Sequence, residues 1–170
     1  NNKYQGTIII SDKIKDDTHK SIQILQNKYH IKTMMLTGDK EEIAKSVKEE
    51  LNLDEYYAEL LPNEKVEKIE KFMKAKKENE RIAFVGDGMN DAPALAMSDL
   101  GISMGSLGSD AAIEASDIVI MKDEIERIVT ALKISNQTLK IVKENIIFAI
   151  LIKMIILLLS VFGITTMWMA

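Results

Sequence analysis

Short apolar runs alternate with amphipathic stretches along most of this chain, and the alternation predicts strands and helices in turn. Residues 7–10 ("TIII") read as a buried strand before Ser11 and Asp12. Asp16 and Asp17 are placed to cap a helix in which Ile22, Leu25 and Tyr29 recur every three to four residues. "KTMML" predicts a second strand ending at Thr37, Gly38 and Asp39, and "KEEIAKSVKEEL" a helix with Ile43, Val47 and Leu51 on one face. "YYA" is a candidate third strand. Pro62 opens a helix that buries Val66, Ile69 and Met73, and "RIAFV" is a fourth strand. "DLGISM" and "SDIVIM" are further strand candidates; between them Ser109 or Asp110 can cap a brief helix.

This order argues for an α/β fold, a Rossmann-like parallel sheet with helices on both faces. Right-handed crossovers then bring the turns after the strands to one edge, where α/β folds bind ligands. Residues 37–39 and 86–91 both lie at such strand ends.

The pattern changes at Ile146. From there to Ala170 the only charge is Lys153. As a helix these residues rise about 37 Å, enough to cross a bilayer core of roughly 30 Å. Residues 1–123 thus form a domain, 124–145 a lysine-rich amphipathic stalk, and 146–170 a transmembrane helix. Lys133, Lys140 and Lys143 precede that helix with Glu144 opposing them, so the positive-inside rule puts the domain in the cytoplasm, beneath a cell membrane. The position of the apolar run excludes a signal peptide. The first residue is not Met and the last lie in apolar sequence, which suggests a piece of a larger protein.

A net charge of −4 and the lack of a basic-aromatic patch argue against a nucleic-acid partner. The absence of cysteine fits a reducing compartment.

The candidate chemistry sits in two corners. In "VGDGMNDAPAL" (residues 85–95), Gly86 and Gly88 allow close approach of a substrate, Asp87 follows a strand, and Asp91 precedes a helix that accepts Pro93 in its first turn. Two hard oxygen donors across one corner suit Mg²⁺, and Asn90 can donate to a phosphate oxygen or orient a carboxylate. The plainer alternative is a turn residue and a helix cap. In "LTGD" a hydroxyl, a glycine amide and a helix start make an anion site, or else an ordinary capping turn. Lys65 is one lysine among several on its helix, most of them solvated.

Taken together, Thr37, Lys65, Asp87 and Asp91 match the haloacid dehalogenase superfamily. Within it, "MLTGDK", "LPNEK", "VGDGMNDAPALAMSDLGISMG" and "GSDAAIEASDIVIM" resemble the phosphorylation domain of a P-type ATPase over nearly the whole chain. The resemblance implies that Thr37 and Gly38 hold the phosphoryl oxygens of an aspartyl-phosphate, with Asp39 shaping their loop. It implies that Lys65 neutralises the phosphoryl group, that Asp87 binds Mg²⁺, and that Asn90 and Asp91 support metal and phosphate. ATP is the implied substrate. The family's nucleophilic Asp-Lys-Thr-Gly-Thr string does not occur, nor does the ATP-binding domain, so this chain alone should not hydrolyse ATP. Asp12 falls in the family's Asp-x-x-Arg stretch, which implies a hinge or nucleotide contact, with Lys15 in place of arginine.

"ENIIFAILIKMIILLL" resembles the matching helix of zinc- and cadmium-exporting members, where a lysine sits near the metal site. Lys153 would then pair with an aspartate on the next helix and help expel a divalent cation (Zn²⁺ or Cd²⁺, with Pb²⁺ and Co²⁺ open). The metal-ligating Cys-Pro-Cys would lie upstream and that aspartate beyond Ala170. Snorkelling of Lys153 to the membrane surface is the alternative. The tyrosine-asparagine pair of copper exporters is not found, and Met154, Met167 and Met169 read as packing. His19 and His30 read as exposed non-ligands. Three further readings stand beside it: a copper-exporting P-type ATPase, a membrane-tethered phosphatase of the same superfamily, and a regulatory phosphate- or Mg²⁺-sensing domain.

Overall fold

The computed structural model describes residues 14–86, 90–105 and 110–163. The candidate strand at 7–10, and with it Asp12, Asp87, Gly88 and Ser109, lie outside them. In chain order the elements are α1 (Asp16–Tyr29), β1 (Met34–Leu36), α2 (Glu41–Leu51), β2 (Glu55–Tyr57), α3 (Pro62–Ala75), β3 (Ala83–Gly86), α4 (Ala92–Met97), β4 (Leu100–Met104), α5 (Asp110–Ala115), β5 (Ile118–Ile120) and α6 (Glu126–Val161). Described residues up to Arg127 form one compact unit and those from Ile128 a second.

Among the described residues of the first unit every strand pair is parallel, and the strands form two groups, β1-β2 and β3-β4-β5. β1 and β3 are thus each paired on one side only among the described residues. Both contribute to one core: Phe84 of β3 is buried with Ile69, Ala94 and Leu95, and Leu36 of β1 packs against this cluster with Val66 and Met73. The apolar stripe expected on α3 is therefore in place.

Two expectations need correcting. The cap of α1 is Lys15, without a side-chain cap bond, so Asp16 and Asp17 lie inside the first turn. Negative charge at that end still suits the helix dipole. On α2 the inward line runs through Ala44 and Leu51, with Val47 half-buried, whereas Ile43 is 54% exposed. Ile43 is one 100° step off that line, and the small Ala44 takes the inward position.

A clamp fixes the approach to β3. The Asp99 carboxylate, just before β4, accepts from Lys76 Nζ at the end of α3 and from the Ile82 amide at 2.8 Å. Together these donors hold its pKa below the usual carboxylate range, the lysine contributing most.

α6 is one uninterrupted helix of 36 residues, about 54 Å long at 1.5 Å per residue. None of its residues is buried, and an 18-residue window has a mean hydropathy of 2.3. It is long and apolar enough to cross a membrane. The change from stalk to apolar composition near residue 146 falls inside this helix and leaves no break in it.

Candidate functional site

The first corner lies between the end of β3 and the start of α4. Asp91 takes the N-cap position of α4, with proline in the first turn as expected, but its side chain makes no cap bond. Instead its Oδ1 accepts from Lys65 Nζ at 3.0 Å, and the two side chains are only 13% and 19% exposed. A capping aspartate would aim at the free amides of its own helix. This one faces a lysine 26 residues away in sequence.

Lys65 is delivered by the start of α3. Pro62 is the first residue of that helix, and the Glu64 carboxylate accepts from the Leu61 amide at 2.7 Å. Of the α3 lysines, Lys65 points into the corner, while Lys68 sits over the Tyr57 ring at 4.0 Å and Lys74 pairs with Glu70 on the surface.

Gly86 ends β3 beneath Asp91. A Cβ there would lie 3.0 Å from both the Cβ and Oδ2 of Asp91, so a side chain at 86 would push the carboxylate away. The Asp91 carboxylate therefore leans over the end of the strand from which Asp87 follows directly. Carboxylate oxygens at a strand end, beside a lysine, fit the sparse donor set Mg²⁺ takes when phosphate and water complete its shell. Among the described residues no group of three or more His, Cys, Asp or Glu side chains gathers to hold a metal by itself.

The second corner follows β1. The Thr37 hydroxyl donates to Asp39 Oδ2 at 2.8 Å and accepts from the Asp39 amide at 3.1 Å. Helix α2 begins two residues later with Lys40 as its cap, so this turn does not cap the helix through a side chain. Asp39 shapes the loop, and the half-buried Thr37 lies beside exposed Gly38. Backbone bonds tie this loop to the α3 entry: the Leu60 amide donates to the Thr37 carbonyl at 3.0 Å, and the Glu59 amide to that of Asp39 at 2.9 Å.

The structure thus joins Lys65 to Asp91 directly and Thr37–Gly38–Asp39 to the start of the Lys65 helix through backbone. Asn90 is exposed beside Asp91. Lys153 is an exposed residue of α6, in the second unit. The part played by residues 59 and 60 has no signature in the sequence.

Residues 1–99 match the haloacid dehalogenase-like hydrolase family. The chain belongs to that family. It is 46% identical, over 99% of its length, to a cadmium, zinc and cobalt-transporting ATPase of Bacillus subtilis, and 45% identical, over 99%, to a zinc-transporting ATPase of Synechocystis. It spans 24% and 23% of these two relatives. Among solved structures, the catalytic domain of the CPx-ATPase CopB-B, studied on nucleotide binding, shares the fold with a TM-score of 0.54 and 35% identity, over 60% of this chain and 39% of that one. The α/β fold with its parallel strands and flanking helices is accordingly that of a haloacid dehalogenase-like domain.

Proposed function

We propose that this chain carries the phosphoryl-handling site of a P-type ATPase that exports a divalent heavy metal, Zn²⁺ or Cd²⁺ foremost. The observation that carries the reading is the Lys65–Asp91 pair, at 3.0 Å and mostly shielded from solvent. A cation held beside a carboxylate at the end of a parallel strand is suited to an anionic phosphorus centre. The named activities of relatives alike over nearly the whole chain support the same reading.

Phosphoryl transfer depends on positioning and charge stabilisation more than on covalent work by the protein. Lys65 would neutralise phosphoryl oxygens. Thr37 would turn its hydroxyl from Asp39 to one of them, the Gly38 amide would donate to another, and Asp39 would keep the loop in shape. Asp87 and Asp91 would hold Mg²⁺, which supplies charge neutralisation at the transferring group, and Asn90 would orient a carboxylate or phosphate oxygen. The nucleophilic aspartate would come from an upstream strand. β1 and β3 each have an unpaired edge among the described residues and share one core, so a strand between them would make the sheet continuous. Asp12 would serve as a hinge or nucleotide contact near the ATP-binding domain.

α6 runs unbroken from Glu126 to Val161, and it would carry the effect of phosphorylation to Lys153 in the membrane, near the transported cation. The domain would face the cytoplasm.

The test is metal-dependent formation of an acid-stable phosphoenzyme by the full-length protein from ATP. Formation stimulated by Zn²⁺ or Cd²⁺, and lost in Asp87→Asn, is expected. Stimulation by Cu⁺ alone would overturn the cargo, and no phosphoenzyme with any metal would overturn the pump.

A further inference from the structure

Among the described residues, three non-glycine positions have positive φ: His30, Asn52 and Glu59. The first two end α1 and α2, where a left-handed residue is a common stop. Glu59, at φ 55°, ends no helix. It also lacks the short polar side chain that lets Asn or Asp adopt this conformation at low cost.

What the conformation does is visible in the hydrogen bonds around it. β2 runs parallel to β1, with Leu36 opposite Tyr57, and the Thr37 amide still donates to the Tyr57 carbonyl at 2.9 Å. Two residues on, the Glu59 amide reaches forward to the Asp39 carbonyl at 2.9 Å, and the next amide, of Leu60, reaches back to Thr37 at 3.0 Å. The partner thus advances from 37 to 39 and returns to 37 within one residue step. A reversal of that kind is what a left-handed residue provides. The returning Leu60 carbonyl then passes over Gly38, where a Cβ would lie 3.3 Å from its oxygen. Leu61 follows at once as the cap of α3, and Lys65 comes one turn later.

We propose that Glu59 is a positioning residue: its left-handed turn interlocks the Thr37 loop with the start of α3 and so sets Lys65 relative to Thr37. This rests on the reading of those two residues as phosphoryl ligands. The role belongs to the backbone, because the Glu59 side chain is exposed and makes no hydrogen bond or ion pair among the described residues. Strain held beside a site in this way is characteristic of positions that pre-organise ligands.

The experiment compares Glu59→Gly, Glu59→Asn and Glu59→Val in the full-length protein. Glycine and asparagine tolerate the left-handed region, whereas a β-branched residue resists it. Two readouts are taken: amide hydrogen exchange across residues 57–65, and Mg²⁺-dependent binding of orthovanadate as a phosphate analogue. Glu59→Val is expected to speed exchange at residues 59 and 60 and to weaken vanadate at least about fivefold, with Gly and Asn within about twofold of the parent. Should Glu59→Val not fold, Glu59→Thr, β-branched but polar, replaces it, with the same direction and a smaller change. Unchanged exchange and affinity in Val or Thr overturn the proposal. So does a loss in Gly equal to that in Val, which would assign the role to the carboxylate. If the parent protein binds no vanadate, the phosphoryl reading fails separately, and the exchange data alone decide whether the interlock exists.

Discussion

Asp91 stands at the cap position of α4, yet its Oδ1 accepts from Lys65 Nζ at 3.0 Å and its side chain bonds none of the helix's own amides. The aspartate thus leaves part of a helix end uncapped in order to face a cation. Two opposite charges with side chains 13% and 19% exposed lie between the surface and the interior in electrostatic strength.

Removing either partner leaves the other charge largely desolvated. Lys65→Met and Asp91→Asn should each destabilise the protein by about 1–3 kcal/mol, between typical values for exposed and buried pairs. The double variant should cost less than the sum of the two. Urea unfolding of the detergent-solubilised chain measures all three, and strict additivity would mean that the pair contributes no coupling. In the full-length protein Lys65→Met should also slow phosphoryl turnover by about a hundredfold or more, the scale of losing one charge-stabilising donor.

The Asp99 clamp predicts a pH dependence. Lys76, and after it the Ile82 amide, hold this carboxyl below its ordinary pKa. A folded group with a depressed pKa stabilises the fold fully above the unfolded value of about 3.9, and the benefit is lost as pH falls through the lower folded value. Asp54, held down chiefly by the Thr33 amide, acts in the same window and direction. Asp99→Asn should lower the urea midpoint at pH 7 and flatten its fall below pH 4. An acid limb as steep as the parent's would show that Asp99 is not responsible.

The candidate site's residues could be named in advance because their motif is written in side chains: Thr37 follows a strand and Asp91 precedes a helix, while Lys65, one lysine among several, is singled out only by the resemblance. Less was legible where the backbone decides. The periodicity of α2 fits an inward line through Ile43 as well as one through Ala44, and only the close approach of the helix selects the small residue. Asp16 and Lys15 compete for one cap, and nothing in composition says where the first helical φ falls. Glu59 has no preference for the left-handed region, so its turn is imposed by the bonds on either side.

Close packing gives a third prediction. A Cβ on Gly101 would lie 2.7 Å from the Leu95 carbonyl oxygen, where α4 approaches β4. Because the obstacle is backbone, a side-chain rotation cannot relieve it. Gly101→Ala should destabilise the first unit by about 1–3 kcal/mol, the usual range for overpacking. An unchanged thermal midpoint would show that α4 can shift away from the strand at little cost.

Lys153 gives the last. It lies seven residues into the apolar run that begins at Ile146, about 10 Å along the helix. An ammonium in the middle of a membrane helix costs about 2.5–3.5 kcal/mol on insertion scales, so it normally faces a charge partner or a watery path. Snorkelling would require only that the stem reach the surface. The two roles separate by substitution, since an anchor can be replaced by an apolar residue and a member of an ion path cannot. Lys153→Leu should leave the full-length protein inserted, abolish Zn²⁺-stimulated ATP hydrolysis in proteoliposomes, and leave phosphorylation from inorganic phosphate intact. Lys153→Arg, which keeps the charge on a bulkier head, should retain part of the hydrolysis. Full metal-stimulated turnover in Lys153→Leu would reduce Lys153 to a membrane anchor and remove it from the path of the cation.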